Sequence, residues 1–549
     1  MKKFTLFALM VLLVAGITHA QTYTNDLVKD INTSGDSDPI GFTEMNNKLY
    51  FDADDGGNGK ELWVTDGTSA GTVMVKDINP GTDNSSPGGF TVMNNKVYFS
   101  ADDGLSGLEL WVTDGTANGT VMLKDINPGN NGSTALTYHY PTVFNNMLYF
   151  RANDGSSGYE LWVTDGTSNG TVMLKDINPG NGSSNQISYY LTVFNNMLYF
   201  SADNGSNGLE LWRTDGTIAG TVMVKDINTG SGGSSPNGFT VFNNNLYFSA
   251  NDGTNGYELW VTDGTSAGTV MVKDINPGSG ISSPIGFTVF NNKLYFMAYD
   301  GTNGDELWVT DGTNSGTLML KDINPGSGNS SPNVFTVFNN KLYFKADDGS
   351  VGKELWATDG TTAGTNLVKD IYSGGATGHS YPSYLTVFNS KLYFRAEDAT
   401  NGQHIWVSDG TSAGTIMIPP AIYTPPTEIY NLTVMNNAIY FSAKYNSSVG
   451  QELYKLTDGS TSVQELSSNT FTVFPNPAYS NVTVSNNQPF NDKCMLVIED
   501  LTGHKVAEYK MSSGSNSYTF SSSNLANGVY TCKLVSGNEI AAQRLVVVK

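Results

Sequence analysis

An all-β protein is predicted, on three observations. One stretch, Glu61-Leu62-Trp63-Val64-Thr65-Asp66-Gly67-Thr68, returns along most of the 549 residues, and all eight tryptophans occupy its third position. The spacings from Trp63 to Trp111, Trp162, Trp212, Trp260, Trp308, Trp356 and Trp406 are 48, 51, 50, 48, 48, 48 and 50 residues, and a fixed period near fifty marks a repeat architecture. The chain is also rich in glycine (60), tyrosine (28) and phenylalanine (26), as turn-dense sheet proteins are.

Each repeat divides into four short strands. In the fifth, Gly238-Phe239-Thr240-Val241-Phe242 is the first, and Asn243-Asn244 marks a tight hairpin turn. The second, Leu246-Tyr247-Phe248-Ser249-Ala250, ends at the loop Asn251-Asp252-Gly253-Thr254-Asn255-Gly256. The third, Glu258-Leu259-Trp260-Val261-Thr262, stops at Asp263-Gly264-Thr265, and the fourth runs over Thr269–Ile275 before Asn276-Pro277-Gly278. Strand formers between Asn, Asp, Gly and Pro punctuation predict hairpins. Four antiparallel strands per unit predict the blade of a large β-propeller.

Counting strands gives about nine blades, with eight as the alternative and an open stacked array as a third arrangement. The second-strand signature occurs nine times, the last at Ile439-Tyr440-Phe441. A worn ninth third strand reads Glu452-Leu453-Tyr454-Lys455-Leu456-Thr457-Asp458-Gly459. Lys-Asp-Ile, which ends the fourth strand, first occurs at Lys29-Asp30-Ile31, ahead of any complete unit, and Thr415-Ile416-Met417-Ile418 is divergent. An orphan strand at the beginning and a missing one at the end predict a ring closed by the chain's first strand, which removes the exposed edges. Val463-Gln464-Glu465-Leu466 is the competing outer strand.

The unit resembles a kelch blade but has Asp-Asp-Gly or Asn-Asp-Gly where kelch has a double glycine, and its tryptophan lies on the third strand. It is more similar to the bacterial ELWxxDGT repeat proteins, over roughly residues 24–460. That resemblance implies a fold and no particular reaction.

Residues 1–20 predict a cleavable secretory signal: Lys2 and Lys3, an apolar run from Phe4 to Ile17, and Ala20 before Gln21. Its removal takes the formal charge from -22 to -24. Such acidity repels nucleic acid and anionic membranes and favours neutral ligands or divalent cations. No second long apolar segment follows, so no transmembrane segment is expected.

Beyond Leu466 the pattern changes, so the propeller is assigned to 21–466 and a second domain to 467–549. Alternating strands such as Asn481–Val484, Met495–Asp500, Gly528–Leu534 and Arg544–Lys549 predict a small immunoglobulin-like β-sandwich. Phe474-Pro475-Asn476-Pro477, the turn from Asp500 to Gly503, the element Leu525–Tyr530 and the terminal lysine together are similar to the type A C-terminal sorting domain of the type IX secretion system. The resemblance implies recognition by that machinery and a secreted or outer-surface location on a Gram-negative Bacteroidetes-type bacterium. Cys494 and Cys532, the two cysteines, fall on predicted strands here and are a candidate disulfide, with two buried free thiols as the alternative.

Function is sought where units differ. Loops after the second and fourth strands share one face, and three units are lengthened before their first strand. The added segments carry Tyr138, His139 and Tyr140; Tyr189 and Tyr190; and His379, Tyr381 and Tyr384. Exposed aromatic side chains on one rim suit stacking on sugars or anchoring a protein. The expected activity is adhesion or glycan binding. A polysaccharide-acting enzyme on a propeller scaffold and a passive envelope protein are the alternatives. No nucleophile, metal-ligand or phosphate-loop motif is read among the scattered histidines His139, His379, His404 and His504, so no enzyme and no cofactor are expected. The repeated acids Asp252, Glu258, Asp263 and Asp274 leave calcium open, without the spacing of a known calcium loop.

Overall fold

The computed structural model describes residues 23–133, 141–184, 191–419, 426–445 and 448–459, and in the carboxyl-terminal part 471–475, 478, 480–486, 489–490, 494–499, 505–526, 528–536 and 539–547. The predicted signal peptide and the segment Val463–Leu466 lie outside these residues. The chain forms two compact units, one of them Tyr23–Thr457.

That unit contains nine four-stranded sheets. Eight take their strands consecutively. Blade 5, for example, is Asn237–Phe242, Asn245–Asn251, Tyr257–Thr262 and Val270–Lys273. The ninth takes Thr427–Met435, Ala438–Lys444 and Gln451–Asp458 from the end of the unit and Tyr23–Lys29 from its beginning. The orphan strand therefore closes blade 9, and nine blades replace the eight-bladed alternative. Closure is visible in the core: Val28, Ile31, Met435, Tyr440 and Leu453 of blade 9 pack with Leu49, Phe51, Ala53 and Trp63 of blade 1. The open array is excluded by this contact.

Period-two alternation explains why the repeat letters barely vary. In the second strand Leu49, Phe51 and Ala53 face the preceding blade, and Tyr50 faces the following one. In the third strand Trp63 faces backward, and Leu62 and Val64 forward. Both faces of these two inner strands are core, so their repeated apolar letters are consumed by packing, whereas repeated valines of the first and fourth strands, such as Val241 and Val270, stay exposed. A lysine clasps eight of the nine joints. The exception is that between blades 8 and 9, where the fourth strand carries no lysine and Tyr454 replaces the tryptophan. Lys29 lies 5.7 Å from the Trp63 ring centroid and donates to the Thr72 carbonyl at 2.7 Å. Lys273 does the same to Trp308 and the Thr317 carbonyl, at 5.9 and 2.8 Å. Such cation–π contacts with one good hydrogen bond hold adjacent blades in register.

The turns follow from local chemistry. Asn243 and Asn244 both adopt positive φ, 46° and 56°, the tight hairpin geometry that asparagine tolerates. In the Asp-Gly-Thr turn, Asp263 Oδ1 accepts from Thr265 N and Oγ1, and Thr262 Oγ1 meets Thr269 Oγ1. Gly264 has φ 98°, and a Cβ there would sit 2.5 Å from the Tyr199 hydroxyl of blade 4. Gly264→Ala should cost about 2–4 kcal/mol, from backbone strain plus a clash at the joint. A denaturant titration against the parent checks it; a change under about 0.5 kcal/mol, the usual surface effect, would contradict the assignment.

The carboxyl-terminal part is a β-sandwich. A three-stranded sheet, ordered Phe471–Phe474, Asn481–Asn486, Ser517–Ser521, shares one core with a four-stranded sheet ordered Lys505–Lys510, Cys494–Glu499, Gly528–Ser536, Glu539–Val547. The candidate disulfide is corrected. Cys494 pairs with Ser536 and Cys532 with Ile498, so the cysteines stand four residues apart along neighbouring strands. That is more than the roughly 7 Å a disulfide spans at the Cα atoms. Both are buried free thiols.

Candidate functional site

The repeated acids are structural. Glu258 is fully buried, its Oε2 accepting from Ile275 N and Ser282 Oγ at 2.7 Å each and its Oε1 from Asn276 N. It ties the loop after the fourth strand onto the blade. Glu61 holds Ile78, Asn79 and Ser85 in the same way. In blade 9, Glu452 holds Ile31, Asn32 and Ser37 and so secures the closing strand. Asp252 caps its own loop, accepting from Thr254 N and Asn255 N. Asp274 Oδ2 accepts from Gly278 N. Among the described residues no three potential metal ligands converge.

The loops that change length between units lie at one end of the ring. The loops after the second and fourth strands lie together there: Tyr299 N donates to the Ser282 carbonyl, and Ser282 N to the Tyr257 carbonyl. Inside the strands one position refuses the repeat, the fourth letter of Leu-Tyr-Phe-x-Ala: Asp52, Ser100, Arg151, Ser201, Ser249, Met297, Lys345, Arg395 and Ser442. It pairs with the start of the first strand, as in Ile40↔Asp52, Asn333↔Lys345 and Ser383↔Arg395. The start of the third strand varies too (Lys60, Asp305, Lys353 and Gln403).

Cavities at this end include one of about 320 Å³ lined by the repeating Gly-Phe-Thr of blades 5 and 6 with Val334 and Phe335 of blade 7, and two that also hold charged or aromatic side chains outside the repeat. The larger of these two, about 810 Å³, is lined by the first strands of blades 1, 2 and 9 with Tyr384 of blade 8, and carries Asp38, Lys60 and Glu428. Asp38 and Lys60 pair at 3.6 Å. Nearby Asp52 is buried, and loss of water pushes its carboxyl up to about 7 against the pull of Lys60. The smaller cavity, about 240 Å³, is lined by Lys345 of blade 7 and by Tyr381, Ser383, Arg395, Glu397 and Gln403 of the blade 8 repeat. The Arg395 guanidinium lies 5.3 Å from the Tyr384 ring centroid and 5.7 Å from that of Tyr430, and donates to the Ile429 carbonyl at 3.0 Å. Burial pushes the Lys345 amine below its ordinary value, and the charges of Lys353 and Arg395 push the same way.

Of the aromatic candidates, the structure places three. Tyr381 is 45 % exposed at the mouth of the smaller cavity, 5.9 Å from the Lys353 amine. Tyr384 has φ 55° where blades 1, 2, 5 and 6 have Gly41, Gly89, Gly238 and Gly286, so strained backbone swings an aromatic ring into the larger cavity. His379 is a loop fastener: its Nδ1 accepts from Lys353 N at 2.9 Å, as the Asn84 and Asn329 side chains do for Lys60 and Asp305. Tyr138, His139, Tyr140, Tyr189 and Tyr190 lie outside the described residues. Lys345, Arg395 and Asp52 were not among the candidates, although the irregular letter within Leu-Tyr-Phe-x-Ala marks them.

Comparison with known proteins bears first on the carboxyl-terminal sheets. Residues 472–549 match the secretion system C-terminal sorting domain. The chain carries an export domain. Its partner is the type IX secretion machinery, and the protein is secreted by that route. No curated protein sequence matches the chain. Solved structures resemble it as folds alone. One described with two prolyl endopeptidases is 10% identical, with TM-score 0.39, covering 76% of this chain and 55% of that one. A puromycin hydrolase is 11% identical, with TM-score 0.33, covering 67% and 60%. The β-propeller domain of the Trilobed protease from Pyrococcus furiosus is 10% identical, with TM-score 0.31, covering 69% and 97%. The chain thus spans little more than half of the first two. Among the described residues no helix is long and apolar enough to cross a membrane.

Proposed function

We propose that this is an exported binding protein whose propeller recognises an extracellular glycan at the end of the ring where the repeat breaks down. One observation carries the reading. The repeated buried side chains are spent on joints and turns, whereas charged residues outside the repeat line two cavities together with the exposed Tyr381 and the strained Tyr384. Aromatic faces beside hydrogen-bonding groups suit sugar rings. The sorting domain supports exposure to such ligands, on the outer surface of a Bacteroidetes-type cell or after release. Similarity of the units to ELWxxDGT proteins fits a repeat scaffold that presents variable loops, and the reading uses neither metal nor catalysis.

Full-length protein should bind selected glycans on an array, and Tyr381→Ala and Tyr384→Ala should each weaken that binding at least tenfold. Unchanged binding and cell adhesion in both variants would overturn the proposal. The raised carboxyl of Asp52 beside Asp38 and Lys60 favours one other reading, a polysaccharide-acting enzyme. Turnover of a polysaccharide that disappears in Asp52→Asn would establish it.

A further inference from the structure

We propose that the cavity between blades 7 and 8 is an oxyanion subsite that takes one acidic sugar at the end or branch of an otherwise neutral glycan. The inference rests on the glycan-binding reading and names the chemistry of its ligand.

Packing does not call for the charges found there. Blade 6 fills the place of Lys345 with Met297, and blades 2, 4, 5 and 9 fill that of Arg395 with serine, in the same strand register. Among the described residues Lys345 Nζ makes no hydrogen bond or ion pair. A half-buried amine between two other cations is unfavourable unless an anion joins it. Ser383 Oγ, buried in the same wall, also has no partner. Arg395 is held between two tyrosine rings with one donor on the Ile429 carbonyl, and a guanidinium has five, in a fork suited to oxyanions.

Charge and size narrow the ligand. Lys345 and Arg395 in the wall and Lys353 beside Tyr381 at the mouth face a single carboxylate in the cavity, Glu397, so the site keeps an excess of positive charge that an acidic sugar offsets. About 240 Å³ is below the usual 300–1,000 Å³ of a small-molecule pocket, so it admits one charged sugar end with the remaining glycan outside, against the exposed Tyr381 ring. A net charge of -22 repels long polyanions, which leaves isolated acidic residues on neutral chains.

The test uses full-length protein on matched oligosaccharides that end in a neutral hexose, a hexuronate or an O-sulfated hexose. An acidic terminus should tighten binding at least tenfold, and Lys345→Met should abolish that gain while neutral binding persists. Lys293→Met, an exposed lysine at the opposite end of a strand, is the charge control and should change nothing. Preference between the two acidic arms tells carboxylate from sulfate ester. Equal affinity for neutral and acidic termini, or a gain that survives in Lys345→Met, overturns the subsite and leaves the glycan reading standing. Binding to none of the sugars overturns both.

Discussion

A chain lacking residues 23–31 should lose its closed ring and unfold far more easily than the parent. Those residues supply the outer strand of blade 9 and bury Val28 and Ile31 against blade 1. They also bring Lys29 over Trp63 and deliver Ile31 N to the buried Glu452 carboxylate. Two buried aliphatic side chains are worth about 1.5–3 kcal/mol each, and each unsatisfied buried polar group costs about 1–3 kcal/mol more. A loss of about 5 kcal/mol or more is therefore expected, because the joint between blades 9 and 1 opens as a unit.

Two measurements check it. Thermal or denaturant unfolding should shift strongly downward, and limited proteolysis should begin in blade 9, whose strand Gln451–Asp458 becomes an unpaired edge. A synthetic peptide of residues 23–32 added in trans should restore part of the stability, since it re-forms the same edge. An unchanged unfolding midpoint in the truncated chain would sink this account of closure.

How far the fold could be foreseen depends on distance along the chain. Strands, hairpin turns and blade count are written in local letters, such as the Asn-Asn pair with both φ angles positive, and they were readable. Closure was readable as well, because Lys29-Asp30-Ile31 is a fourth-strand signature without a unit in front of it. It left Val463–Leu466 as a rival until Tyr23–Lys29 was found beside Gln451–Asp458. The role of Glu258 was not readable: its partners, Ile275 and Ser282, lie 17 and 24 residues away and meet it only once the loop folds back over the blade. The lysine clasp was hidden for the same reason, as Lys273 reaches a carbonyl 44 residues on. At the candidate site, long aromatic loops drew the eye to Tyr381 and Tyr384, which do line cavities. The charged residues beside them sit inside strands, where an expectation of packing conceals them.

Acid should stabilise the propeller down to about pH 5, and the buried glutamates are the cause. Burial pushes the carboxyls of Glu160, Glu258, Glu306, Glu354 and Glu452 up to about 7, and those of Glu61, Glu109 and Glu210 in the same direction. The unfolded chain releases these protons near 4.5. Between that value and about 7 the native state holds protons that the unfolded state has lost, so stability falls as pH rises through this window. Aspartates such as Asp263 act oppositely. Hydrogen bonds from Thr265 N and Oγ1 hold its carboxyl below the ordinary range, so its contribution is present at neutral pH and fades in strong acid. The two trends cross between them, which places the optimum on the acid side of neutrality. Urea midpoints from pH 4 to 8 should therefore peak near pH 5, and a flat profile or a peak above pH 7 would contradict the assignment. Substitution separates charge from connectivity. Glu258→Gln should keep an acceptor for the backbone and flatten its share of the pH dependence. Glu258→Ala should cost about 3 kcal/mol or more at every pH, because it strands Ile275 N, Asn276 N and Ser282 Oγ in a dry joint. In blade 8 His404 stands where the other blades have this glutamate, and its sheet ends in the two-residue strand Ile416–Met417. The joint without the carboxylate is thus the one whose outer strand is shortest, as expected if the glutamate is what fastens each loop to its blade.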